Sequence, residues 1–569
     1  MFYLALASDY DGTLAENGVV SESTLAAIGR LKESGRKFIL VTGRELPDLK
    51  RVFPQIDICD VVVAENGALL YVPASEEERP ISPAPPPEFV SRLQERGVTP
   101  LSVGHSIVAT WEPHQDVVLE TIKELGLELE IIFNKGAVMV LPSGINKATG
   151  LDAGIKELML SPHNVVGVGD AENDHAFLRA CGFSVAVANA LPAVAETADL
   201  VTDGARGAGV EELIDLILDD EKCLEFPLRQ HVGIGQSREG SEVAIAPDAV
   251  VLVAGSSGIG KSTLATALTE VFAERGYQFL VFDPEGDYEQ LENAVTAGDV
   301  HAPPGRDHVL ELLNETSTNV VVNTLALQLA ERPAFFADLQ AELASLRART
   351  GRPHWLIVDE AHHLLPTARD GASLALSQDM PGMVLITVHP DAVSPDALQE
   401  VDVVVALGPK SDEVVRTFCE AVGETPPKNL EPAQDDEVLL WQRNEKDRIR
   451  MISPIRPRQV HKRHTRKYAE GDLGEERSFY FRGPDGALNL RAQNLMIFVQ
   501  LAEGIDDATW EHHLRAGDFS NWFRSCVKDE ALANDAARAE ADNDLTPQQS
   551  RKLIADAIQR RYTAPASSG

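Results

Sequence analysis

LALASDYDGTL, residues 4–14, is an apolar run that ends on two aspartates and a glycine. It reads as a buried strand, and strand ends in open α/β sheets aim their side chains at the crevice where ligands bind. Asp9 and Asp11 are two residues apart, so they stand on one face until Gly12 lets the backbone turn away. Working outward, RKFILVTGRE (36–45) is a second strand, ending in Thr42-Gly43-Arg44. Lys147 follows the strand-like GAVMVLPSG (136–144). VVGVGDAENDHAF (165–177) is a third strand ending in Gly169-Asp170, with Asp174 four residues on. A carboxylate pair, a hydroxyl, a cation and a further carboxylate pair thus each follow a strand. The pattern predicts an α/β fold with a Rossmann-like sheet.

This ordered set resembles the haloacid-dehalogenase-type phosphatases. AENGA (64–68) and a single insertion at 72–145 are similar to their Cof-type (IIB) subgroup, which carries an inserted α/β cap. The core would then be residues 1–71 and 146–218. The resemblance implies that Asp9 is the nucleophile, forming an aspartyl phosphate, and that Asp11 is the general acid and base. Covalent catalysis divides one difficult displacement into two easier ones. It also implies that Thr42 and Lys147 hold the phosphoryl oxygens. Mg2+, which takes hard oxygen ligands, would be bound by Asp9, the carbonyl of Asp11 and Asp170, with Asp174 in support. The implied substrate is a small phosphorylated metabolite of the sugar-phosphate or phosphoglycolate class. The cap opens on the proline-rich PISPAPPPE (80–88), and Arg44 with the stretch Val103–Trp111 are candidates for substrate contact.

A second phosphate motif follows. AVVLVA (249–254) is an apolar strand and LATALTEVFAERG (264–276) has helical spacing. Between them, Gly255 through Gly258, Gly260, Lys261, Ser262 and Thr263 form G-x-x-x-x-G-K-S/T, a P-loop in strand–loop–helix context. Its backbone N–H groups cradle phosphates, Lys261 reaches the terminal ones, and Ser262 ligates Mg2+. HWLIVDEAHHLLP (354–366) ends a strand in Asp359, for the Mg2+ shell, and Glu360, to orient an attacking water. His362 and His363 are expected at a helix start rather than at a metal. MVLITVHP (383–390) would end near a γ-phosphate sensor at Thr387 and His389. FLVFDPEGDY (279–288), taken with VDEAHHLLP, resembles the HerA/FtsK group of motor ATPases, HerA in particular, over about 228–410. That implies a RecA-like ATPase domain (228–445) binding ATP and Mg2+, with possible homo-oligomers through it. Two departures stand out: a phosphatase occupies the place of the usual N-terminal barrel, and Thr387-Val388-His389 stands where a glutamine is common.

The chain has 569 residues and a net charge of −37. Residues 228–445 alone hold 14 Lys and Arg against 34 Asp and Glu. Nucleic-acid binding is disfavoured, because that affinity comes from neutralising phosphates. No apolar run spans a membrane. MFYLALASDYDG lacks the basic start of a signal peptide, and five scattered cysteines fit a reducing compartment, so a cytoplasmic location is expected. RPRQVHKRHTRK (456–467) is a basic run within an expected linker (446–475). A helical accessory domain (476–569) with a disordered tail should have Trp510, Phe519, Trp522 and Phe523 in its core and His512-His513 on its surface. The functional expectation is a metabolite phosphatase fused to an ATPase. Alternatives are a kinase–phosphatase pair acting on one substrate or on nucleic-acid ends, and a HerA-like motor or regulatory module controlling assembly.

Overall fold

The computed structural model describes residues 2–562 apart from 135, 220–223, 290, 368–380, 435, 444–448, 459–472, 475, 476, 485, 487, 528 and 543. Most of the basic run and the expected disordered tail lie outside the described residues. Twelve strands build the first domain: β1 (Ala5–Asp9), β2 (Lys37–Val41), β3 (Val61–Ala64), β4 (Leu69–Val72), β5 (Glu77–Pro80), β6 (Ser102–Val103), β7 (Val108–Trp111), β8 (Leu129–Asn134), β9 (Ala137–Pro142), β10 (Val165–Gly169), β11 (Phe183–Ala186) and β12 (Leu200–Val201). Eight of them form one sheet in the order β12-β11-β10-β1-β2-β3-β4-β5. It is parallel from β12 to β3 and ends in an antiparallel meander.

The central strands are apolar throughout because both faces are covered. Leu6, Phe38 and Leu40 pack on one side with Ile28, Leu31 and Leu213. Ala7, Ile39 and Val41 pack on the other with Leu151, Ile155 and Phe177. The inserted layer is a separate sheet, β6-β7-β9-β8, backed by helices Pro87–Glu95 and Gln115–Glu124. The insertion expected at 72–145 would include Glu77–Pro80, but these residues pair with β4 in the core sheet. The cap as folded therefore begins after Pro80.

The second domain holds β13 (Val232–Ser237), β14 (Glu242–Ile245), β15 (Val250–Ala254), β16 (Phe279–Asp283), β17 (Val295–Ala297), β18 (Val320–Asn323), β19 (Trp355–Val358), β20 (Met383–Thr387), β21 (Val403–Leu407), β22 (Val438–Gln442) and β23 (Ile449–Pro454). Their order is β14-β13-β23-β22-β21-β15-β20-β19-β16-β18-β17. The strand before the P-loop, β15, is thus separated from the strand before Asp359 by β20. β23 pairs with both β13 and β22, so the sheet runs past residue 445 into the expected linker.

The C-terminal module joins the pair β24 (Phe479–Phe481) and β25 (Leu490–Ala492) to five helices between Leu495 and Tyr562. Trp510, Phe519, Trp522 and Phe523 are in its core. His513 is not on the surface. It is buried, accepts the Arg482 N–H at 2.8 Å and meets Asp518 at 2.7 Å. Two polar partners make that burial tolerable; His512 is exposed.

Candidate active site and nucleotide site

β1 lies between β2 and β10, all parallel, with Asp9 opposite Val41 and Ser8 opposite Val168. Asp9, Thr42 and Asp170 therefore leave neighbouring strands at the same edge. Lys147 comes from the first turn of helix Lys147–Glu157, whose N-cap, Asn146, accepts the N–H groups of Ala148 and Thr149. That helix sits close because glycines meet there: a Cβ on Gly67 would lie 1.9 Å from the Asn146 carbonyl oxygen, and one on Gly150 2.5 Å from Gly67 Cα. Lys147 Nζ, fully buried, donates to Asp9 Oδ1 at 2.5 Å and to Asp174 Oδ1 at 2.6 Å. Asp174 Oδ2 accepts the N–H groups of Asp170 and Ala171, each at 2.9 Å, and Thr13 donates to Asp170 at 3.1 Å.

Burial pushes the Asp9 carboxyl up to about 7; the Asp174 charge adds to this and Lys147 opposes it. Carboxylate oxygens of Asp9, Asp170 and Asp174 lie within 4.8 Å of one another. Three buried acids against one lysine leave negative charge in excess, and the donors are hard oxygens. A Mg2+ ion fits that set in charge and ligand chemistry.

Asp11, less buried, is held by Arg44: Nε donates to one carboxylate oxygen at 2.6 Å and Nη2 to the other at 2.7 Å. Arg44 also reaches Asp48 at 2.5 Å. Thr42 is buried and its hydroxyl accepts the Arg44 N–H at 3.1 Å. Between core and cap lies a cleft of about 420 Å³, lined by Asp9, Asp11, Arg44, Trp111, Met139 and Asn173 among others. Of the candidate stretch Val103–Trp111, the residues from Ala109 to Trp111 line it and Val103 does not.

Sequence reading missed how the cap is fastened. Glu65, fully buried, accepts the N–H groups of His105, Ser106 and Ile107 from the cap at 2.8, 2.8 and 3.2 Å. Its neighbour Asn66 accepts from Asn173 at 3.0 Å. The available signal was the Glu65-Asn66-Gly67 run itself, which takes three successive positive φ values of 52°, 54° and 104°. Non-glycine residues rarely adopt these, and such strain collects at working sites.

In the second domain Gly258 and Gly260 have φ of 76° and 106°, and helix Lys261–Glu274 starts directly after them. Lys261 Nζ donates to the Gly255 and Ser256 carbonyls of its own loop at 3.0 and 2.9 Å. Ser262 and Thr263 occupy the helix's first turn. Asp359 follows β19 and accepts the Glu360 N–H at 2.8 Å. Glu360 has φ 45° and precedes helix Ala361–Leu364, on which His362 lies 3.1 Å from Thr387 Oγ1 and 3.5 Å from Glu360. β15, β19 and β20 are parallel neighbours in one sheet, so P-loop, Asp359-Glu360 and Thr387–His389 gather at one edge.

Two family descriptions match the chain: haloacid dehalogenase-like hydrolase over residues 6–115 and 105–214, and Helicase HerA, central domain, over 231–344. Among curated proteins, Phosphoglycolate phosphatase of Methanothermobacter thermautotrophicus is 32% identical over 220 residues, 37% of this chain and 96% of that one. Phosphoglycolate phosphatase 2 of Saccharolobus solfataricus is 31% identical, covering 38% and 92%. The Haloarcula marismortui Phosphoglycolate phosphatase is 31% identical, covering 36% and 93%. Among the described residues no helix is long and apolar enough to cross a membrane. Through its first domain the chain belongs to the haloacid dehalogenase-like hydrolases, a phosphatase here fused to a HerA-like P-loop ATPase domain.

Proposed function

We propose that the first domain is a Mg2+-dependent phosphomonoesterase acting on a small phosphorylated metabolite, of the phosphoglycolate or sugar-phosphate class, and that the second binds and hydrolyses ATP. The observation that carries the reading is Lys147 bridging Asp9 and Asp174 at the base of a capped cleft, with Asp11 held at its wall. The names of the relatives support the phosphoglycolate class.

In the first step an Asp9 oxygen attacks phosphorus, the ester P–O bond breaks, and protonated Asp11 gives its proton to the leaving oxygen. In the second, Asp11 as carboxylate takes a proton from water, which attacks the phosphoaspartate and releases inorganic phosphate and Asp9. Positioned acid–base groups of this kind contribute about 10²–10⁴-fold. The Arg44 fork fixes the orientation of the Asp11 carboxyl group that both proton transfers use. Lys147 offsets charge on Asp9 and on the transferring oxygens, and the Thr42 hydroxyl is the neutral donor beside them. Mg2+, held by Asp9, the Asp11 carbonyl and Asp170, supplies charge neutralisation when bound.

The test is phosphate release from phosphoglycolate, sugar phosphates and nucleotides, with and without ATP and Mg2+. Asp9→Asn should lower metabolite hydrolysis by at least about 10³-fold and leave ATP hydrolysis intact; Lys261→Ala should do the reverse. Metabolite turnover that survives Asp9→Asn would refute the assigned nucleophile.

A further inference from the structure

β16 ends in Asp283, and one oxygen of its carboxylate accepts the N–H groups of Glu285, Gly286 and Asp287 at 3.2, 2.7 and 3.0 Å. The other accepts that of Tyr288 at 2.8 Å. The turn so fixed belongs to the same sheet edge as the P-loop, because β16 pairs in parallel with β19. Its acids act on Asp359. Burial drives the Asp359 carboxyl far up, and the charges of Glu360, Asp287, Asp283 and Glu285 push it further. This mouth is crowded with negative charge.

Glu285, itself buried, faces a cation from another domain: Arg477 Nη2 stands 3.6 Å from Glu285 Oε1. Arg477 belongs to the C-terminal module. Its carbonyl accepts the Trp522 indole N–H at 2.8 Å, and the following residues run into β24 and the aromatic core. A separation of 3.6 Å is a charge contact, too long for a hydrogen bond, and about a third of the side chain remains exposed. The module's core thus anchors the backbone while the guanidinium is loosely held.

We propose that the C-terminal module supplies Arg477 in cis to the phosphates of a nucleotide bound at residues 255–263, with Glu285 as its partner until the nucleotide arrives. This rests on the reading of the second domain as an ATPase. A triphosphate offers a guanidinium what Glu285 at 3.6 Å does not, paired short N–H···O contacts. In hydrolysis, water attacks the γ-phosphorus, its proton passes to Glu360, and the bond from phosphorus to the β–γ bridging oxygen breaks. Arg477 takes no part in bond making. It neutralises charge that grows on the leaving oxygens, the role for which an inserted arginine gives about 10³–10⁵-fold in kcat.

Full-length wild type, Arg477→Ala, Arg477→Lys, Glu285→Gln and Lys261→Ala should be compared for ATP hydrolysis and for binding of ADP with aluminium fluoride. Arg477→Ala should lose about 10³-fold in kcat with little change in KM for ATP. It should also lose preference for ADP–aluminium fluoride over ADP. Arg477→Lys should not restore it, because one ammonium does not reproduce the fork. Glu285→Gln releases the guanidinium, so its hydrolysis should rise. If Glu285→Gln and Arg477→Ala fall together, the pair is a docking contact and the proposal is wrong. Unchanged kcat in Arg477→Ala also overturns it, while Lys261-dependent hydrolysis in wild type keeps the ATPase reading. Mixing Lys261→Ala with Arg477→Ala chains should restore nothing; recovery would mean the arginine acts between subunits. A wild type without Lys261-dependent hydrolysis sinks both.

Discussion

Arg44 commits three of its N–H groups to two carboxylates, Asp11 and Asp48. The geometry on Asp11 is a fork, so the arginine fixes the orientation of that carboxylate. Arg44→Lys should therefore cost about 10- to 100-fold in kcat even though charge is retained. A misaimed Asp11 serves both proton transfers poorly, so kcat should fall with KM little changed; an unchanged kcat would show that the fork does not aim the catalytic carboxyl group. The candidate residues Asp9, Asp11 and Asp170 could be grouped from the sequence because each follows an apolar strand of the core sheet, and strands in such sheets end at a common crevice. Lys147 instead joins them from the start of a helix that follows a cap strand, β9. The partner of Arg44 was not legible in the sequence. Asp11 is 33 residues away in the chain and Asp48 is four, and no local pattern says which of them the guanidinium will reach.

The Glu65–Gly67 turn joins two elements. It fastens the cap through three N–H groups and forms the floor on which helix Lys147–Glu157 rests. Removing the carboxylate leaves three cap N–H groups without their acceptor, and charged hydrogen bonds of this kind are each worth about 1.5–3 kcal/mol. Glu65→Ala should loosen the cap before it damages the core. Amide exchange at 105–107 should accelerate by at least about tenfold and KM should rise, with β1 and β10 amides as protected as in wild type. Equal loss of protection in β1 would mean that the glutamate supports the fold as a whole. Elements with continuous apolar runs were readable, and those at the sheet margins were not. β5 (Glu77–Pro80) is exposed at every position, so it has no hydrophobic period to read, and the cap was drawn too early. β23 is only half-buried, so the ATPase sheet was ended too soon. The proline-rich run at 80–88 marks the true boundary, since β5 stops where it begins.

At the scale of the whole molecule, the two candidate sites face away from the contact that joins their domains. Residues 159–164 lead into β10, Tyr277-Gln278 into β16 and His354 into β19, so the domains meet at strand starts while both sites lie at strand ends. Met159, at φ 56°, offers its carbonyl to Arg352 at 2.8 Å. His163 stacks on Tyr277 at 3.9 Å and hydrogen-bonds to Gln230 and the Arg275 carbonyl. No sequence pattern announces such a contact, because it is built from single residues scattered over some two hundred positions. Its centre has a pH dependence whose sign is fixed. His354 is buried, its Nδ1 accepts the Gln278 N–H at 2.9 Å, and burial together with the charges of His163, Arg352 and Arg347 holds it well below 6.5. A group kept neutral in the folded state contributes fully above the unfolded value of 6.5. That contribution is lost as pH falls, since the unfolded chain then binds the proton that the folded one refuses. The loss is at most about 1.4 kcal/mol per pH unit for one proton. Carboxylates titrate as well, so the informative quantity is the difference between wild type and His354→Gln, which lacks the titrating ring. Wild type should have the higher thermal midpoint at pH 7.5, and the gap should shrink steadily from about pH 6 to pH 5. A gap that stays constant or widens on acidification would show that His354 is protonated in the folded chain and that the domain contact accommodates the charge.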